Sequence, residues 1–442
     1  MNKHHTGPHG NREAELPALL VVYGAASSAI PWNRLADSER WVVLSFADEP
    51  WEASLRAQSR DYGIVIDQVM PARHDIHRAS RVAREKYLDF IADWPGRFVK
   101  GGRSFKERFT YKREIAYWWL SGASFKDIER YPTFEYLCHL EVLANVLSNN
   151  AFSHCLLVSH DRQMASLSRQ ACAKFGIDFD LEGEPSPRRA QSVLRSLVGF
   201  ASLLAWLAVG LIASQRVLPS WGPSERGPVI GFFATYPSTL HLTDDGTWDP
   251  NYRDLPRALA GPHGVASVYL AINDSTMPWS WFRLSSLKRK AKRKPDVPIV
   301  FLERYLRLSD VGVVLGALWF ALRYALRERN DRRFLESFEY DGMNVHGLMR
   351  AEFDETFMTN QIARSLLIAL SVARAVRAVN ISKLVCFLEL FPVARAVYFG
   401  ASRSGVPVET IAYQHSVNNS MTIECNYRQR EFKVDGGGDF VD

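Results

Sequence analysis

"SKLVCFLELFPVARAVYFGASRSGVPVETIAYQHSVNN", residues 382–419, decides the fold class. Residues 382–390 form an apolar run of strand length, and 408–413 form a second. Between them Pro392 stands where a helix opens, because its missing N–H costs nothing there, and Gly400 and Gly405 bracket the helix end. Strand, short helix and strand predict a parallel βαβ unit. Both strands then finish at the same end of one sheet. They deliver Glu389 from the first strand and Gln414, His415, Asn418 and Asn419 from the second. That placement makes the polar cluster a candidate site and not merely the start of a loop.

Working outward, "GPVIGFFATYPST" at 227–239 reads as a strand that ends in a turn carrying Tyr236 and Ser238. Open α/β sheets collect ligands at such strand ends, so both are candidate substrate-binding residues. Further strands are predicted at 266–274 and 296–303, and a long helix over 352–379. Along that helix Ile362, Leu366, Leu370, Ala373 and Val376 share one face, and Arg364, Arg374 and Arg377 fall on the solvated side. Together these segments predict a Rossmann-like unit over 227–420. Apolar runs at 18–27, 40–46, 63–69 and 154–161, spaced by helix-length segments, predict another over 17–185. Its Gly24-Ala-Ala-Ser turn is not a dinucleotide fingerprint. The expected class is therefore α/β, with Rossmann-like parallel sheets in two units and an apolar helical segment between them.

That segment and its linkers occupy 186–226. Within it, 196–215 carries no charge over about twenty residues, the length that crosses a bilayer. A crossing would put the two α/β units on opposite faces, so membrane contact without crossing is expected. Residues 311–329 are read as too short to span and as able to lie against a membrane. Between two predicted strands, "WSWFRLSSLKRKAKRK" at 279–294 joins Trp279, Trp281 and Phe282 to Lys288, Arg289, Lys290, Lys292, Arg293 and Lys294. Aromatics beside a polybasic cluster suit an anionic membrane surface. A solvated basic loop is the bland alternative and nucleic-acid contact a third; membrane contact without nucleic acid is the expectation carried forward.

The net charge of +6 suits anionic partners without choosing among them. Cysteines 138, 155, 172, 386 and 425 form no CxxC pair, so buried thiols in a reducing compartment are expected, with no zinc site. No metal site is predicted elsewhere: the His-containing stretch 1–16 reads as a disordered tail. It lacks the apolar core of a signal peptide, which predicts a cytoplasmic protein. Serine-hydrolase, zinc-protease and P-loop motifs are all absent from the sequence. "SHD" at 159–161 is not read as a triad, because adjacent residues rarely converge. Arg113 and Glu114 are expected to be a structural pair.

The chemistry open to the cluster is that of hydroxyl-rich anionic ligands. His415 suits a general base or a phosphate contact. Glu389, beside a helix N-terminus, stays ionised and orients His415 or accepts sugar hydroxyls. Gln414, Asn418 and Asn419 supply donors and acceptors. The local reading is that Glu389 caps the helix and His415 is a satisfied loop residue.

"YKREIAYWWLSGASFKD" (111–127), "PTFEYLCHLEVL" (132–143), "FFATYPSTLHLTDDGTWDPNYRDLP" (232–256) and "FLELFPVARAVYFGASRSGVPVETIAYQHS" (387–416) together resemble a family of bacterial surface carbohydrate biosynthesis proteins. These are GT-B-like glycosyltransferases for O-antigen or capsule sugars, and the resemblance spans most of 18–420. It implies transfer from a nucleotide-sugar, with no further cofactor, to a lipid-linked saccharide acceptor at the inner face of the plasma membrane. It also implies catalytic roles for Glu389 and His415 at a cleft. Where the family commonly has glycine after Gln-His, this chain has the bulkier Ser416, which would reshape a close backbone approach to phosphate. A GT-B donor domain is expected after His415, and residues 421–442 are too few to form one. An incomplete GT-B-like architecture follows, with 227–420 as the acceptor side and the donor half supplied by a partner chain or lost. A non-catalytic assembly or acceptor-binding subunit, or an inactive homologue, is the alternative.

Overall fold

The computed structural model describes residues 16–24, 30–35, 40–46, 52–126, 130–183, 193–217, 227–243, 246–260, 266–274, 296–387, 391–413 and 428. The chain divides into two units. The first comprises Met1–Lys86, Pro132–Arg188 and Glu339–Leu348; the second comprises Tyr87–Tyr131, Arg189–Phe338 and Met349–Asp442.

The first unit is built on β1 (Ala18–Val22), β2 (Arg40–Ser45), β3 (Val65–Pro71), β4 (His154–Val158) and β5 (Asp178–Glu182). All neighbours are parallel and the order is β3-β2-β1-β4-β5. Every residue of β1 is buried, as expected of a central parallel strand covered on both faces. Leu20, Val22, Trp41, Val43, Leu156 and Val158 form one side of its core. The connecting helices include α1 (Glu52–Asp61), α2 (Ile76–Arg97, of which residues 87–97 belong to the second unit), α3 (Thr133–Asn149) and α4 (Arg162–Lys174).

The second unit repeats the plan with β6 (Val229–Tyr236), β7 (Ala266–Asn273), β8 (Ile299–Phe301), β9 (Ile381–Phe387) and β10 (Glu409–Tyr413), ordered β8-β7-β6-β9-β10 and again all parallel. Its helices include α5 (Val193–Val217), α6 (Val311–Arg323), α7 (His346–Phe357, from Met349 onward), α8 (Gln361–Val379) and α9 (Phe391–Ser402). Phe387 pairs with Tyr413 in register, so β9 and β10 do finish together at one edge.

The span 17–185 predicted from strand spacing is interrupted, because 87–131 belongs to the second unit. The reason is aromatic packing. Trp94 lies 4.7 Å from Phe338, 4.8 Å from Phe353, and 5.0 Å from both Phe105 and Trp118, ring centre to ring centre. Its indole N–H donates to Ser337 Oγ at 3.2 Å. A second difference is that the helix predicted over 352–379 is two helices, broken at 358–360. Thr359 Oγ1 donates back to the Glu355 carbonyl and Asn360 Nδ2 to the Gly199 carbonyl at 2.8 Å. The Thr359 bond is local and competes with the helical ladder, while Asn360 reaches a carbonyl 161 residues away. Thirdly, helical structure runs from Leu308 to Glu328, 21 residues, extended by a 3₁₀ turn at Leu308–Asp310 and a π turn at Tyr324–Glu328. By length and composition it is long enough to cross a membrane, contrary to the sequence reading of 311–329.

Gly400 and Gly405 bracket the end of α9 at Ser402, and Gly400 lies inside the helix, facing α8. A Cβ there would overlap the Ala369 backbone carbonyl. Helix propensity favours alanine over glycine by about 1 kcal/mol. Overpacking against a backbone that cannot swing aside costs roughly 1–3 kcal/mol and wins. Gly400→Ala is therefore expected to lower the thermal midpoint despite the better helix former; a raised midpoint would show that α8 and α9 separate freely.

Candidate functional site

In a sheet ordered 3-2-1-4-5 the chain reverses direction between strands 1 and 4, and ligands sit outside their carboxyl ends. In the second unit those strands are β6 and β9. A cavity of about 470 Å³ opens at this carboxyl edge, within the range of small-molecule sites. Gln361, Arg364 and Ser365 from the first turns of α8 line it, as do Pro392 and Val393 from the first turn of α9. α8 enters β9 and α9 leaves it, so both helices aim their N-termini and positive dipole ends at the carboxyl edge, although the Gln361 N–H is taken by Thr359 Oγ1 at 3.3 Å and Pro392 has no N–H.

Arg364 supplies the formal charge. Its Nη2 donates to the carbonyls of Asn273 (3.4 Å) and Asp274 at the end of β7. Its other N–H groups have no partner among the described residues. Burial lowers the Arg364 pKa from its usual value, a cost that Asp274 and Glu303 partly offset. Glu303 buttresses this edge from behind: its Oε1 accepts the Asn273 N–H at 2.6 Å, and Oε2 has no hydrogen-bond partner among the described residues. Burial pushes its carboxyl up to about 7.

The opposite wall comes from 122–131, leaving aside 127–129. Gly122 N–H donates to Thr356 Oγ1 at 3.2 Å, and the Tyr131 hydroxyl and Arg130 guanidinium both engage Glu355. Arg395 ties this wall to α9. It donates to Ser124 Oγ at 2.9 Å and to the Trp119 carbonyl at 3.2 Å, with its guanidinium 5.5 Å from the Trp119 ring centre. Trp118, by contrast, belongs to the aromatic core. Glu114 pairs with Arg403 at 3.4 Å instead of forming the expected pair with Arg113.

Of the residues singled out from sequence, Tyr236 and Ser238 lie at the carboxyl end of β6. Ser238 Oγ is 2.7 Å from Thr235 Oγ1 and exposed, while the Tyr236 ring meets Phe301 edge-on at 5.9 Å. Neither lines the cavity. Glu389, Gln414, His415, Asn418, Asn419 and the whole 279–294 segment lie outside the described residues. What sequence missed is Arg130, Tyr131, Glu355 and Arg364. The arginines of 352–379 are not simply solvated. Arg364 serves the cavity; Arg374 forms a two-pronged pair with Asp310 at 2.7 Å; Arg377 Nε donates to the Ser404 carbonyl at 2.8 Å.

In the first unit the corresponding carboxyl edge holds Tyr23, Tyr136, Phe46 and His139 in ring contact. Asp161 there caps α4 through Met164 N–H at 2.8 Å and accepts the Tyr136 hydroxyl, while Ser159 Oγ accepts the Asp161 N–H at 2.9 Å. These bonds explain why 159–161 is a helix start and not a triad. Another cavity in this unit, about 280 Å³, is lined by charges that neutralise one another: Lys86 with Glu141 and Asp341, and Lys174 with Asp341. It is the weaker candidate for that reason. No cluster of metal-ligating side chains occurs among the described residues.

No protein-family model matches the chain, and no curated protein does. Among solved structures, Leishmania major tyrosyl-tRNA synthetase in complex with fisetin aligns at 11% identity. The alignment covers 92% of this chain and 83% of that one, with a TM-score of 0.22. The same enzyme in complex with tyrosinol aligns at 10%, over 92% and 76%, with a TM-score of 0.21. Superposition that poor carries no argument about fold or function.

Proposed function

We propose that the chain is a glycosyltransferase homologue of surface polysaccharide synthesis, using a nucleotide-sugar donor and a lipid-linked saccharide acceptor at the inner membrane face. The observation that carries this reading is the second unit's cavity, where two helix N-termini and the Arg364 guanidinium converge at the carboxyl edge of a Rossmann-type sheet. That arrangement suits a diphosphate, the group shared by nucleotide-sugars and diphosphate-linked lipid saccharides. Glu355, held by Arg130 and Tyr131, offers an acceptor for sugar hydroxyls. The pairing of Phe387 with Tyr413 at the ends of β9 and β10 supports a reading in which His415 is base or phosphate contact, Glu389 its orienter, and Gln414, Asn418 and Asn419 substrate contacts. In GT-B terms the second unit is the acceptor side, and a partner chain is one source of the donor half.

Calorimetry with uridine and guanosine diphosphate sugars, set against a soluble diphosphate-lipid saccharide analogue, tells which substrate the cavity takes. Arg364→Ala is expected to weaken that binding about 10- to 100-fold, the worth of a charge-assisted hydrogen bond. Arg364→Lys restores only part, since an ammonium lacks the planar fork. Undiminished binding by Arg364→Ala would move the diphosphate elsewhere. Binding without sugar transfer would favour a non-catalytic acceptor-binding subunit.

A further inference from the structure

Two helices of the second unit leave large apolar side chains in water. On the helical run Leu308–Glu328, the side chains of Leu308, Leu315, Trp319 and Leu326 are 50–80% exposed. Their spacing of seven, four and seven residues places them on one stripe. The opposite stripe, Val314, Ala317, Ala321 and Tyr324, is buried against the protein along the whole length. α5 packs beside α6 and adds exposed Leu197, Val198 and Ile212. Exposed apolar surface on this scale marks an interaction site.

Charge identifies the occupant. α5 contains no carboxylate. The two carboxylates of Leu308–Glu328 are turned inward and neutralised, Asp310 by Arg374 and Glu328 by Arg108. Arg307 and Arg327 remain exposed, one at each end of the apolar stripe. An apolar stripe with an outward tryptophan, cations at both ends and no outward carboxylate matches an anionic phospholipid surface, where acyl chains lie beneath a negative headgroup layer. A second copy of this chain would bring the same cations against themselves.

We propose that Leu308–Glu328, with α5 beside it, docks in the plane of an anionic bilayer and does not cross it. Its length permits a crossing, but the inward ion pairs tie both ends to the protein, and its buried stripe packs continuously on the core. The inference deepens the membrane-facing part of the proposed function and uses none of its sugar chemistry.

Flotation of the full chain with phosphatidylcholine vesicles, with and without phosphatidylglycerol, tests it. Binding to the phosphatidylglycerol vesicles is expected, with at least a tenfold loss in the Leu315→Glu/Trp319→Glu variant. Both positions are exposed, so circular dichroism should show that variant folded. Arg307→Glu/Arg327→Glu should abolish the preference for phosphatidylglycerol while leaving weak binding to both vesicles. Vesicle binding by folded Leu315→Glu/Trp319→Glu equal to the unaltered chain would overturn the proposal, as would a lipid-free dimer that Trp319→Glu dissociates. Neither result depends on sugar transfer, so failure of the enzymatic reading remains distinguishable.

Discussion

Arg374→Ala is expected to cost about 3–5 kcal/mol of folding stability, read as a lower urea midpoint, because it strips the partner from a buried carboxylate. Asp310 is 1% exposed, and both its oxygens take a guanidinium N–H at 2.7 Å. The same guanidinium donates to the Tyr305 carbonyl at 2.6 Å. After truncation, the Arg307 N–H at 2.7 Å is left to serve Asp310 Oδ2. Arg374→Lys should recover only part, since one ammonium cannot span both oxygens. Removing both charges together, as Asp310→Leu/Arg374→Met, should recover most of the loss, because the desolvation penalty goes with the charges. A loss below 1 kcal/mol in the alanine variant would mean that water reaches Asp310.

Glu303→Gln is expected to stabilise the protein at pH 8 and to leave it unchanged at pH 4. The carboxyl has an ordinary value of 4.5 and is pushed up to about 7 by burial. Below 4.5 it is protonated in both folded and unfolded chains and costs nothing. As pH rises from 4.5 to 7 the unfolded chain releases its proton first, so stability falls; above 7 the full penalty of about 3 kcal/mol is in place. Glutamine keeps the acceptor for the Asn273 N–H and never ionises. Urea midpoints of both proteins at pH 4 and pH 8 measure the difference. Equal gains at the two pH values would show that packing, not ionisation, is responsible.

The strands were legible where both faces are covered. Runs such as 18–22, 229–236 and 266–273 are almost wholly apolar, and that pattern has one common source in a parallel sheet. β5 escaped notice because "DFDLE" at a sheet edge alternates, with no residue fully buried. The site was less legible, for a different reason. Arg364, Arg374 and Arg377 look alike on a helical wheel, off the apolar face. Their partners lie 90, 64 and 27 residues away, and no local pattern reports them. One clue was available: Thr359-Asn360 inside the supposed helix is a capping signal, and it marks where a helix N-terminus meets the cavity. The membrane-length helix was misjudged because its 3₁₀ and π ends carry polar residues that disguise a continuous rod.

The way the chain threads its two units has a consequence for synthesis. It passes from one unit to the other five times, after Lys86, Tyr131, Arg188, Phe338 and Leu348. The first unit therefore cannot close until residues near 348 have left the ribosome, although its five strands are finished by Glu182. Meanwhile Trp94, Phe105 and Trp118 wait for Phe334, Phe338 and Phe353, more than two hundred residues downstream. A nascent chain in that state shows much apolar surface and invites chaperones. Cutting the gene between the codons for Arg188 and Arg189 would produce two fragments that each lack part of their own core.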